Sequence, residues 1–97
     1  MSVDPRGRRV AVVADSLLPS LLPELQERGY GTIQLPPAGL PGEVASEWLD
    51  QVAEHVAEFV RNDYEVVLAD DGACADALRT KLAGLGVHEL PEFIPRR

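Results

Sequence analysis

The chain has 97 residues, of which 45% are apolar and 26% charged, and its formal net charge is −7. A chain of this length builds one domain around one core, and its composition is ordinary for a globular fold and argues against disorder. No apolar run approaches the roughly 20 residues that span a bilayer, and the negative charge disfavours nucleic acid and anionic membranes as partners. Cys74 is the one cysteine, so the chain cannot form an internal disulfide.

The N-terminal residues indicate where the protein works. Residues 1–9 are charged and contain no apolar core followed by a small-residue cleavage site, so we expect a cytoplasmic protein. Eight of the nine basic residues are arginine, a bias typical of GC-rich bacteria. We expect one α/β domain over residues 1–97, with a flexible N-terminus at residues 1–8 and a C-terminal tail at residues 91–97.

The first predicted strand covers residues 9–14, which read R-V-A-V-V-A. A continuous apolar run rich in β-branched residues is typical of a strand that is buried on both faces. The prolines that follow restrict where a helix can begin, and the best solution places Ser20 at the N-cap and Pro23 in the first turn. This helix ends before Gly29, and residues 31–35 form a weaker second strand.

A loop rich in proline and glycine, residues 36–42, separates this strand from a long helix predicted over residues 43–62. Seven apolar side chains recur there at three- and four-residue spacing and predict the buried face: Ala45, Trp48, Leu49, Val52, Val56, Phe59 and Val60. Such a helix is about 30 Å long, whereas a five-residue strand is about 17 Å long. We therefore expect part of the helix to project past the sheet or to meet a partner.

The remaining elements are a third strand over residues 64–69, a helix over residues 74–83 and a fourth strand over residues 87–90. Strands that alternate with helices favour a parallel sheet with right-handed crossovers. The sequence therefore predicts a small three-layer, doubly wound α/β fold, flavodoxin-like or Rossmann-like. Its four-stranded parallel sheet has the order 2-1-3-4.

Polar residues follow the first and third predicted strands: Asp15 and Ser16 after the first, and Asp70, Asp71 and Gly72 after the third. Ligands of open parallel sheets bind beyond the carboxyl ends of the strands. Carboxylate oxygens suit Mg²⁺, so this set predicts a metal or phosphosugar site, and we expect no other cofactor. The alternative is structural and stays open: Asp70 or Asp71 caps the helix that follows, and Asp15 ends the first strand.

The outer side of the long helix carries a row of acidic residues spaced 4, 3, 4 and 4 apart: Glu43, Glu47, Asp50, Glu54 and Glu58. Only Arg61, three residues after Glu58, carries the opposite charge on this helix. Like charges at this spacing cost a few tenths of a kcal/mol per pair. The row is either a solvated face that favours solubility or a docking surface for a basic protein partner.

A resemblance is carried by four stretches: R-V-A-V-V-A-D-S, R-G-Y-G-T-I-Q-L-P-P, Y-E-V-V-L-A-D-D-G and A-G-L-G-V. The chain resembles the N-terminal part of the ribose-5-phosphate isomerase B and galactose-6-phosphate isomerase family. Asp15 matches the aspartate after the family's first strand, but Ser16 stands where the family has histidine. Asp70 and Asp71 replace its cysteine base and glycine-rich phosphate loop, and Cys74 is displaced. The resemblance implies the fold together with loss of the catalytic motif.

Neither a Ser-His-Asp nor a Cys-His arrangement is recognisable, so we assign no catalytic residue. The favoured prediction is a non-catalytic domain that acts through protein–protein interaction and forms a homodimer. The alternative is a sugar-phosphate isomerase-like enzyme, or a metal- or phosphosugar-binding protein, that uses the carboxylates at the strand ends.

Overall fold

The computed structural model describes residues 9–70, 75–88 and 90–94, in which strands and helices alternate. The elements are β1 (Arg9–Val13), α1 (Leu18–Glu27), β2 (Gly31–Gln34), α2 (Gly42–Arg61), β3 (Glu65–Ala69) and α3 (Ala75–Gly84). The predicted alternation is therefore confirmed as far as the third helix.

β1 lies in the centre of a parallel sheet with the order β2-β1-β3. Val10 is aligned with Gly31 of β2 on one side and with Val66 of β3 on the other. Residues 10–13 are all buried, which is why β1 is a continuous apolar run rather than an alternating one. The prediction that the first and third strands are parallel neighbours is confirmed.

The fourth strand predicted over residues 87–90 does not appear in the part of this segment that the structure describes, and the predicted four-stranded sheet is wrong. A single parallel bridge instead joins Glu92 to Leu68 on the outer edge of β3. The N–H of Leu68 donates to the carbonyl oxygen of Pro91, and the N–H of Phe93 donates to that of Leu68, both at 2.9 Å. Part of the segment predicted as a C-terminal tail thus lies against the sheet.

The end of α3 explains why residue 87 does not enter the sheet. Gly86 has a φ of 87°, and its N–H donates to the carbonyl of Ala83 at 3.1 Å. The N–H of Val87 donates to the carbonyl of Leu82 at 2.9 Å. These two bonds form the Schellman arrangement that ends many helices. Because the Val87 N–H closes α3, it cannot take part in a strand ladder.

The helices cover both faces of the sheet and make three layers. Val10 and Val12 pack against α2 and α3, whereas Ala11 and Val13 pack on the opposite face with Leu25 of α1. This division follows from the two-residue period of a strand, which directs alternate side chains to opposite faces. The predicted α/β class and layering are confirmed.

α1 begins earlier than predicted, because its N-cap is Leu17 rather than Ser20. Pro19 stands in the first turn, where a missing N–H costs little, and Pro23 lies inside the helix. Leu17 and Leu18 pack against the core on this face. Contact of these half-buried leucines with the core favours the earlier start, which leaves Pro23 inside the helix.

The buried residues of α2 are confined to its middle: Leu49, Val52, Ala53, Val56 and Ala57. Val60, near the end of α2, was predicted to face the core, but it is 39% exposed. Val44, near the start of the helix, is 47% exposed. The burial pattern agrees with a helix that extends past the sheet. Neither α2 nor any other described helix is long and apolar enough to cross a membrane.

Candidate functional site

The carboxyl ends of the three parallel strands lie together at one end of the sheet. Val13 is aligned with Gln34 at the end of β2 and with Ala69 at the end of β3. Asp15 and Asp70 therefore follow neighbouring strands, as predicted. Asp71 and Gly72, the other two residues of the predicted third-strand site, lie outside the described residues.

Asp15 is exposed and is held by a side chain that the sequence analysis did not single out. Nε2 of Gln34 donates to Oδ1 of Asp15 at 2.6 Å, and the indole N–H of Trp48 donates to the backbone carbonyl of Gln34 at 2.9 Å. Gln34 thus links the end of β1 to α2. The register of β1 and β2 brings these residues together, and no spacing in the sequence reveals it.

A cavity of about 310 Å³ opens beside Asp15 and Ser16. Its other walls are mostly apolar: Ala14, Leu35, Pro36, Pro37, Ala38, Gly39, Leu40 and Ala45. No Arg, Lys or His is among these lining residues, and Asp70 does not line the cavity either. Asp15 and Ser16 offer hydrogen-bond acceptors, but no cationic side chain on these walls would neutralise a phosphate group.

The predicted magnesium site required Asp15, Asp70 and Asp71 to converge. Within the described ranges, no three His, Cys, Asp or Glu side chains are grouped so that they could hold a metal ion. Since Asp71 is outside those ranges, the convergence of all three carboxylates stays a prediction.

The chain matches no protein-family model, no curated protein and no solved structure. The resemblance to the ribose-5-phosphate isomerase B family therefore stays a prediction.

The five predicted acidic residues of α2 are all exposed, and together we call them the acidic face: Glu43, Glu47, Asp50, Glu54 and Glu58. Arg61 was the one residue of α2 expected to balance the charge of this row, and the structure adds a cation from another helix. Nζ of Lys81, from α3, lies 2.6 Å from Oδ1 of Asp50 and 3.4 Å from Oγ of Ser46. None of the ion pairs found among the described residues involves the other four carboxylates.

A second opening, which we call the β2-edge groove, lies between β2 and α2 and has a volume of about 400 Å³. It is lined by Thr32, Ile33, Gln34, Trp48, Gln51, Val52, His55 and Phe59. Ile33, Trp48 and Phe59 are half-buried, although the last two were predicted to be core residues. His55 is exposed, and its Nδ1 lies 2.7 Å from the carbonyl oxygen of Gln51.

A polar cluster at the opposite end of the sheet holds the C-terminal segment. The hydroxyl of Tyr30 donates to Oε2 of Glu65 at 2.7 Å, and the ring of Tyr30 packs edge-on against Phe93. Burial raises the pKa of Tyr30, and the hydrogen bond and charge of Glu65 raise it further. The guanidinium of Arg28 lies over the ring of Phe93, and its Nη1 donates to the carbonyl of Ile94. These contacts are those of a structural anchor.

Proposed function

We propose that this protein is a non-catalytic module that binds a protein partner with a basic surface through the acidic face of α2. The observation that carries the proposal is the exposure of five carboxylates along one side of a helix, four of them outside any ion pair found in the described residues. Like charges one turn apart destabilise a helix slightly, so a cationic partner would relieve their repulsion.

The contact between Asp50 and Lys81 supports the same chemistry. It places a lysine ammonium within hydrogen-bond distance of a carboxylate on the acidic face, at 2.6 Å. The ends of α2 lie beyond its buried middle, so a partner can approach along the helix. The net charge of −7 would also attract a basic protein from a distance and make its association rate fall as salt is added.

The homodimer favoured by the sequence is part of the proposal, with one restriction. Two copies of the acidic face repel each other, so the dimer contact would lie elsewhere on the surface. Sedimentation equilibrium measures the mass in solution, and a dimer is the expected result. A monomer at every concentration tested would contradict this part and leave the basic partner unaffected.

The test of the proposed function is a comparison of two charge-reversed proteins. Glu47→Lys with Glu54→Lys alters the acidic face and leaves the Asp50–Lys81 contact in place. Asp76→Lys with Glu92→Lys changes the net charge by the same amount at exposed positions elsewhere. Proteins captured from a cell extract are identified, and the best one is purified and titrated calorimetrically against all three forms.

We expect the acidic-face variant to lose the purified partner and the control variant to keep it. Binding should also weaken steadily as salt is raised, because exposed ion pairs are screened. Equal affinity of both variants for the partner would refute a role for the acidic face.

The cavity beside Asp15 and Ser16 favours a second candidate, a small-ligand site at the strand ends. Since none of the described residues that line it is basic, it would take a neutral polyol, or a phosphosugar only together with Mg²⁺. Titration with Mg²⁺, sugar phosphates and unphosphorylated sugars, with Asp15→Asn as the control, tests this candidate. Absence of heat at millimolar concentrations of each would eliminate it.

A further inference from the structure

The outer edge of β2 carries backbone groups that no described residue pairs with. The N–H of Leu35 donates to the carbonyl of Val13 at 2.9 Å, so the backbone groups of Leu35 face β1. Because successive residues of a strand point their backbone groups to opposite sides, Thr32 and Gln34 face away from β1. The Gln34 carbonyl accepts the Trp48 indole N–H, but Thr32 is exposed and has no such partner among the described residues.

The β2-edge groove lies directly beside these groups. Ile33, Trp48 and Phe59 form its apolar walls and are only half-buried. An extended segment that paired with Thr32 would place alternate side chains over this groove, since side chains alternate across a strand. The edge therefore offers both the backbone and the side-chain elements of strand addition.

The other edge of the same sheet shows this mode of binding within the chain. Residues 91–93 pair with β3 through the N–H and carbonyl of Leu68. Phe93 at the end of this segment is 5% exposed and packs into the core cluster with Tyr30. The β3 edge is thus covered by an extended segment that buries an aromatic side chain. The β2 edge has the corresponding features, the outward backbone groups of Thr32 and an apolar groove beside them.

Charge distinguishes between the segments that could occupy the groove. Gln51 and His55 line it, while Glu47 and Glu58 stand one helical turn from them on α2. The groove is therefore bordered by the acidic face. A second copy would bring the same negative charges to the contact, whereas a basic segment complements them.

We infer that the β2-edge groove binds an extended peptide segment of a protein partner, which adds to β2 as a strand and carries apolar side chains between basic ones. This inference rests on the proposed function and specifies how the partner is recognised. The segment would exchange backbone hydrogen bonds with Thr32 and pack its apolar side chains against Ile33, Trp48 and Phe59.

The probe is a short synthetic peptide in which valine and phenylalanine alternate with lysine, and the control peptide has glutamate in place of lysine. Trp48 is the one tryptophan of the chain, so its fluorescence reports occupancy of the groove. Exchange of the Thr32 amide hydrogen reports pairing with the edge. The matched variants are Thr32→Pro, which removes the outward N–H, and Thr32→Val, which keeps it; proline is tolerated at a free sheet edge.

We expect the lysine peptide, and not the glutamate peptide, to shift the Trp48 emission and to slow exchange at Thr32. Thr32→Pro should bind the peptide about tenfold more weakly than Thr32→Val, the effect of one lost backbone hydrogen bond. If Thr32→Pro is unfolded by circular dichroism, amide exchange in the unaltered protein decides the question.

Three results would overturn the inference. The first is an unchanged Trp48 emission and Thr32 exchange rate at saturating peptide, and the second is equal affinity of the two Thr32 variants for the peptide. The third is loss of partner binding in Glu47→Lys with Glu54→Lys together with full binding by Thr32→Pro, which would refute strand addition and leave the proposed function standing.

Discussion

The ammonium group of Lys81 lies 2.6 Å from Oδ1 of Asp50, and this contact joins α3 to the acidic face of α2. The side chains are 27% and 57% exposed, so water screens the pair. The contact therefore matters more for the charge of this surface than for the stability of the fold.

Replacement of Lys81 by methionine tests that view. We expect Lys81→Met to lower the free energy of unfolding by less than about 1 kcal/mol, because exposed ion pairs contribute little. Chemical denaturation measures the change, with Arg79→Met as the control because the Arg79–Asp76 pair is longer, at 3.9 Å. A loss several times larger than in the control would mean that the Asp50–Lys81 pair holds α3 in place.

Tyr30 links the stability of the fold to high pH. Its pKa is raised above the ordinary value of 10.0, first by burial and then by Glu65, so the folded state disfavours the phenolate. The resulting stability is fully present below about pH 10 and is lost as pH rises through the folded pKa. We expect the urea midpoint of the unaltered protein to fall above pH 10 more steeply than that of Tyr30→Phe. If the urea midpoints of the two proteins fell equally steeply above pH 10, ionisation of Tyr30 would not be the cause of the lost stability.

The C-terminal anchor depends on Phe93, which is 5% exposed. We expect Phe93→Ala to cost about 3 kcal/mol, since it removes a buried aromatic ring and leaves a cavity. Hydrogen exchange at the Leu68 amide, which donates to Pro91, should become faster. Ile94→Ala is the control, because Ile94 is 76% exposed and its loss should change stability by less than about 0.5 kcal/mol.

Two glycines at the end of α3 should respond to alanine in opposite directions. Gly86 has a φ of 87°, so Gly86→Ala should destabilise the protein by about 1 kcal/mol. Gly84 is helical and has open space where a Cβ would stand, so Gly84→Ala should stabilise by about 0.5 kcal/mol. Thermal denaturation of both variants measures the difference. A stabilising Gly86→Ala would mean that the positive φ of Gly86 imposes no strain on alanine.

Part of the candidate site followed from local patterns. The exposed row of carboxylates was predictable because spacings of three and four place residues on one side of a helix whatever surrounds it. Asp15 beside a cavity was predictable because ligand sites in parallel sheets lie beyond the strand ends. The position of Lys81 beside the acidic face was not predictable, since Lys81 and Asp50 are 31 positions apart in the chain.

Local sequence patterns were enough to predict the alternation of strands and helices, the burial of β1 and the acidic face of α2. Each of these depends on a period or an apolar run within a few residues. Local patterns did not show that residues 91–93, rather than 87–90, lie against β3, or that Trp48 and Phe59 line an open groove. A sheet edge pairs with residues that lie far from it along the chain, so a local pattern does not show which of them reach it. The Val87 N–H donates to the Leu82 carbonyl at the end of α3 and therefore cannot pair with β3.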